Sequence, residues 1–183
     1  MTAVAVLTGV LMVASGSVPI LPATLNRVTT IAHAIAAGQY QAGWRGGGIP
    51  YSWGGGHDDD PGPSYGTCEG YSGAILPCPA TRTRGLDCSG LARWVYRLAY
   101  GRDVLGPGNT DEHIRRLTQV PAAKAQPGDL VFYGRVDESK VKTHHVGVYI
   151  GQGKMINALR TGTDVRIDPL TAVKGFAGYF RYL

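Results

Sequence analysis

Cys88 stands in Gly85-Leu86-Asp87-Cys88-Ser89-Gly90-Leu91, where a Gly-, Pro- and Asp-rich stretch gives way to a helical pattern. A thiol at a helix start feels the positive end of the peptide dipoles and a set of unpaired N–H groups. Both favour the thiolate, the form that acts as a nucleophile. A nucleophilic cysteine needs a base. Of His33, His57, His113, His144 and His145, the last two open an apolar run, Val146-Gly147-Val148-Tyr149-Ile150, that reads as a strand. Alternation places His145 on one face and His144 on the other, so one imidazole can be held rigidly toward a site. His33 on a helix and His57 in an acidic loop read as surface residues, and His113 falls in a polar helix. Asn157 lies between Ile156 and Ala158 in the next apolar run. A buried amide must find a hydrogen bond. Its oxygen could accept from one imidazole nitrogen and leave the other to the thiol, as in Cys-His-Asn arrangements. Asp164 is the next candidate for that third place. A zinc site is disfavoured, because the histidines and cysteines lack a recognisable four-ligand spacing.

These side chains need elements to hold them. Leu25, Val28, Ile31, Ala32, Ile35 and Ala36 recur at helical spacing, which predicts a helix over 24–37 with Thr24 at its start and Gly38 at its end. A second helix opens at Asp87-Cys88-Ser89-Gly90, carries Leu91, Trp94, Val95 and Leu98 on one face and stops at Gly101. A short helix follows Thr110. Short β-like runs come after the Pro127-Gly128 turn, at 129–133, 145–150, 154–158, 165–167 and 179–182, separated by Gly-containing turns. Helices first and a strand meander after predict an α+β domain with an antiparallel sheet. Between 43 and 85 the chain is dominated by Gly, Pro, Asp and Ser, and 57–63 reads as a solvated loop.

The 183 residues suit one domain, with 44% hydrophobic and 17% charged residues. That composition excludes a disordered chain, and a single long apolar stretch excludes a multi-span membrane protein. The net charge of +5 suits an anionic partner such as a cell-wall polymer. Lys and Arg are scattered, which argues against nucleic acid. Residues 1–23 form a separate apolar segment, running from Ala3 to Val18 and followed by Pro19 and Pro22. Its length fits the core of a signal peptide, and the absence of Lys or Arg before Arg27 does not. It is read as a signal peptide or an anchor, with a buried helix as the alternative. Cys68, Cys78 and Cys88 are odd in number, so one thiol is left over. By counting alone, Cys68–Cys78 and Cys78–Cys88 bridges are equally available.

Five blocks stand in order: Pro50-Tyr51-Ser52-Trp53-Gly54-Gly55, Gly85 to Leu91, Pro127-Gly128-Asp129-Leu130-Val131-Phe132, His145 to Gly151, and Lys154-Met155-Ile156-Asn157-Ala158. Their order and spacing resemble the NlpC/P60 family of cysteine peptidases, from about residue 27 to the C-terminus. The resemblance implies a papain-like α+β fold over 24–183 and hydrolysis of bacterial peptidoglycan stem peptides at the bond joining γ-D-glutamate to a diamino acid. It implies Cys88 as nucleophile, His145 as base and Asn157 in a third polar position where the family often has His. Tyr51 would reach the thiol, Asp87 and Ser89 would face the stem peptide, and no metal or organic cofactor would be needed. The protein would be a monomer, secreted or associated with the cell envelope. The 57–84 stretch is longer than usual for the family and is read as an insertion at the rim of the cleft. Because the family reading requires Cys88 free, it favours Cys68–Cys78 as the disulfide. Thiol amidases and acyltransferases, a secreted antibacterial toxin, or an inert wall-binding module are the alternatives on the same fold.

Overall fold

A computed structural model describes residues 23–39, 42–137 and 139–183. The apolar segment expected over 1–23 therefore lies outside the described residues, except for Ala23. Helix α1 spans Ala23–Ala36 and buries Leu25, Val28, Ala32 and Ile35, the stripe that the periodicity predicts. Helix α2 spans Cys88–Tyr100. Asp87 caps its N-terminus by accepting from the Gly90 N–H, and Gly101 closes it in the left-handed region at φ 72°. Such an N-cap is worth about 1 kcal/mol. The short helix α3, Thr110–Ile114, is held by an Asn109/Glu112 capping box.

Among the described residues, eight strands complete the fold. Ser64–Tyr65 (β1) and Arg84–Gly85 (β2) form a small antiparallel ribbon. The main sheet contains Thr118–Val120 (β3), Leu130–Asp137 (β4), Lys140–Gly151 (β5), Lys154–Asn157 (β6), Arg166–Pro169 (β7) and Phe176–Arg181 (β8). Its order is β3-β8-β4-β5-β6-β7, with every pairing antiparallel. The α+β class and the antiparallel sheet agree with the sequence reading, but the meander holds only from β4 to β7: the last strand, β8, returns to pair with β4 and β3. Strands β1, β2 and β3 were not expected, because two- and three-residue strands carry too little alternation to be seen.

The core lies between the helices and one face of the sheet. Leu91, Trp94, Val95 and Tyr96 of α2 meet Leu130, Phe132, Val146, Val148 and Ile156. Burial of each large apolar side chain here stabilises by about 1.5–3 kcal/mol. The opposite face holds a smaller cluster around Val131, Tyr133 and Met155. The buried Asp129 carboxylate is paired with Arg181 at 2.6 and 2.9 Å, which ties the start of β4 to the end of β8.

The 57–84 stretch is ordered by more than its disulfide, Cys68–Cys78. The buried Arg93 of α2 donates to the Asp58 carbonyl at 3.0 Å while pairing with Asp103. Ser52 Oγ donates to the Thr83 carbonyl at 2.7 Å, and Trp53 Nε1 donates to the Glu69 carbonyl at 2.7 Å. The Tyr-Ser-Trp-Gly-Gly block thus holds the middle and the end of this stretch, and Arg93 holds its start.

Candidate active site

Cys88 is a free thiol and the first residue of α2. Its neighbour Gly90 is dictated by a close approach: a Cβ there would stand 2.2 Å from the Gly55 carbonyl oxygen. That same carbonyl accepts the Asp87 N–H at 3.0 Å, so the Gly54-Gly55 turn and the helix start are locked together. Tyr51, Trp53, His57, Asp87, Cys88, Ser89, Thr143 and His144 line one cleft of about 640 Å³.

The sulfur meets β5 at the Val146 N–H. The β4–β5 ladder slips here: Tyr133 faces His145 and Gly134 faces Thr143, so His144 is bulged. A bulge suspends strict alternation. His144 therefore lines the cleft too, instead of pointing away from it as alternation predicts. His145 is buried, with its ring 5.7 Å from that of Tyr133. Its Nε2 is 2.9 Å from Asn157 Oδ1 on β6.

Asn157 does not stop at His145. Its Nδ2 donates to Asp168 Oδ2 at 2.9 Å, and Arg166 grips Asp168 through Nε at 2.9 Å and Nη2 at 2.7 Å. Sequence reasoning missed this pair. The signal was an Arg-x-Asp alternation at the end of a run read as ending at Ile167, two residues short of the end of β7. Asp164, the expected substitute for Asn157, lies elsewhere, bridged to Pro50 and packed against Gly48.

His57 is a second correction. It is no free surface residue: its Nε2 is 3.0 and 2.9 Å from the two Asp87 carboxylate oxygens. Asp87 Oδ1 also accepts from Ser89 Oγ at 2.8 Å and from the Gly90 N–H at 2.7 Å. Asp87 and Ser89 line the cleft as expected, yet they are bound to each other and to His57. His113 is fully buried, not polar-faced, with Nε2 at 3.0 Å from the Gly106 carbonyl.

Electrostatics revises one expectation. Burial pushes the Cys88 thiol up to about 12, and the Asp87 charge adds to this. The N–H groups of Val146, Ser89 and Cys88 itself pull the other way and do not win. Helix-start position alone therefore does not make a resting thiolate. Burial likewise pushes His145 down to about 4, against the Asn157 hydrogen bond that favours its charge. Burial opposes the charge on His57 as well, but the Asp87 hydrogen bond and charge outweigh it and raise His57 above its ordinary value.

A family model described as the NlpC/P60 family matches residues 48–176. The chain belongs to the NlpC/P60 family. Peptidoglycan endopeptidase RipB of Mycobacterium tuberculosis is 36% identical over 123 residues, which cover 67% of this chain and 43% of RipB. A γ-D-glutamyl-L-lysine dipeptidyl-peptidase of Bacillus cereus is 35% identical over 102 residues, covering 54% of this chain and 29% of that protein. The chain thus spans less than half the length of these curated relatives. Among solved structures, RipD of M. tuberculosis, described as a non-catalytic NlpC/P60 protein adapted to peptidoglycan binding, matches with a TM-score of 0.58 at 28% identity. That match covers 85% of this chain and 98% of RipD. NlpC/P60 proteins thus include both hydrolases and at least one binder. Among the described residues, no helix is long and apolar enough to cross a membrane.

Proposed function

We propose that this NlpC/P60 protein is a cysteine endopeptidase that cuts peptidoglycan stem peptides at the γ-D-glutamyl–diamino acid bond. One observation carries the reading: a free Cys88 at a helix start whose sulfur meets β5 at Val146, directly after a buried His145 held by Asn157. The bond follows from the family resemblance, and the B. cereus relative, a γ-D-glutamyl-L-lysine dipeptidyl-peptidase, supports it by name.

With the thiol held high and the imidazole held low, the resting pair is neutral. The thiol proton passes to His145 as sulfur attacks the carbonyl carbon. The Cys88 N–H, at the helix start, stands where it can stabilise the oxyanion, and Tyr51 flanks the thiol. His145 then gives its proton to the departing amine, which leaves a thioester on Cys88. Water adds to the thioester with His145 as base, releasing the acid and restoring the thiol. The site acts outside the cytoplasm, secreted or at the envelope, and the +5 charge favours residence in an anionic wall polymer.

The test is digestion of purified peptidoglycan, with mass analysis of the fragments, by the parent protein and by Cys88→Ala. The parent should release fragments cut at one bond, and the folded variant none. Equal release by both sinks the thiol mechanism. Binding without release by the parent replaces the hydrolase with a wall-binding module, and transfer products replace it with an acyltransferase.

A further inference from the structure

His145, Asn157 and Asp168 form a chain of side chains on neighbouring strands, 5%, 0% and 6% exposed. So little exposure leaves scant room for water to substitute for a missing partner. The two ends of an amide are nearly the same in shape and opposite in polarity. Asn157 could therefore present either its oxygen or its NH₂ group to His145, with opposite consequences for the imidazole. Given NH₂, the facing ring nitrogen must carry a lone pair and the proton sits on the other nitrogen. Given oxygen, the facing nitrogen must carry the proton and the other is bare.

We propose that Asp168, clamped by Arg166, decides between these two states and so sets the tautomer of His145. An ionised carboxylate can only accept. Asn157 must turn its Nδ2 toward Asp168, at 2.9 Å. Oδ1 is then the end that faces His145 Nε2, also at 2.9 Å. Nε2 carries the proton, and Nδ1 is left with the lone pair. Arg166 contributes by keeping the carboxylate ionised and fixed, through two nitrogens reaching both oxygens. The Asp168 carboxylate lies below the usual range for the same reason, first the Arg166 hydrogen bond and then that of Asn157. Asp168 touches neither the thiol nor a substrate, so it is a positioning residue that acts through Asn157. This role deepens the peptidase reading and rests on it, since a bare Nδ1 matters only where a proton is to be taken.

The test is ¹⁵N NMR of the histidine ring of His145 at neutral pH, assigned with His145→Gln, alongside kcat and KM on a defined stem peptide. The parent protein should carry the proton on Nε2, with Nδ1 unprotonated. Asp168→Leu should release the amide and move a substantial share of the protons to Nδ1. Its kcat should fall by about 10- to 100-fold with KM little changed, short of the ~10⁴-fold loss that a wholly wrong tautomer costs. Asp168→Glu keeps an acceptor-only carboxylate and should restore much of the Nε2 proton and of kcat. A parent protein protonated on Nδ1 overturns the proposal without any variant, and so does a folded Asp168→Leu protein whose His145 remains on Nε2. Because the ring signals need no turnover, a parent that cuts nothing yet shows the Nε2 proton defeats the peptidase reading and leaves the tautomer assignment standing.

Discussion

Two histidines flank the helix start at Cys88, and their partners make them different groups. On the sheet side, His145 faces a neutral amide inside a buried chain, and burial holds it down to about 4. On the loop side, His57 faces the Asp87 carboxylate, and that partner lifts it above its ordinary value despite burial. Both imidazoles sit at hydrogen-bond distance from an oxygen. The charge on that oxygen decides whether the ring stays neutral and able to take a proton, or becomes the cation of an ion pair. On the proposed mechanism the sheet therefore supplies the base, and the loop supplies a strut.

Removal of each ring in turn is the sharpest way to break this comparison. His145→Ala should lower kcat on a defined stem peptide by about 10³- to 10⁴-fold, in line with loss of a base that also delivers the leaving-group proton. His57→Ala, measured beside it, should stay within about tenfold of the parent. Comparable losses in the two variants would erase the distinction.

The amide comes next in size. Asn157→Ala should lower kcat by on the order of ten- to a thousandfold and leave activity above background, because an amide orients but does not titrate. Asn157→His should retain much of the activity, and Asn157→Leu should match Ala or do worse. Parent-like turnover by Asn157→Ala would remove the sheet side's claim to a built base.

The loop side can be weakened at its staple. Replacement of Cys68 and Cys78 by Ser opens the covalent loop and should lower stability to denaturant by roughly 3 kcal/mol or less. Activity should fall less than in Asn157→Ala, since Ser52, Trp53 and Arg93 still anchor this stretch. An activity loss larger than that of Asn157→Ala would mean that the rim shapes the chemistry and not only the approach to it.

The smallest effect is a pH dependence. A His57 raised in the folded state stabilises fully below its unfolded value near 6.5, and that contribution is lost as pH rises through the folded value. The gap in Tm between the parent and His57→Gln should therefore be a few degrees at pH 5.5 and shrink by pH 9. A gap that widens with pH would show that His57 is not the cation of the pair.

His145 and Asn157 could be read from the chain because each lies in a run with a clear period. A strand fixes its side chains two by two, and consecutive antiparallel strands bring their neighbours together. Helix α2 was equally plain, since Asp87 and Gly101 mark its ends and a 3.6-residue stripe fills it. His57 had no such frame. It lies in an irregular, Gly- and Pro-rich stretch, where no period says which way a side chain turns. Its partner Asp87 is 30 residues away, brought close by tertiary contacts such as that of Gly55 with Gly90 and of Arg93 with Asp58.

The sequence by itself determined the α+β class, the two main helices, the β4-β5-β6-β7 run of the meander, and the places of Cys88, His145 and Asn157 at a helix start and on two neighbouring strands. These rest on local periodicity, on caps and on short motifs, which neighbours in the chain decide among themselves. Tertiary structure alone decided the states of those groups. The bulge at His144 depends on the β4 partner, the reach from Asn157 to Asp168 depends on the β6–β7 register, and the shifts of Cys88 and His145 depend on what buries them. Proton affinity is set by the solvent a group loses and the charges it gains, and both arrive from residues distant in the chain.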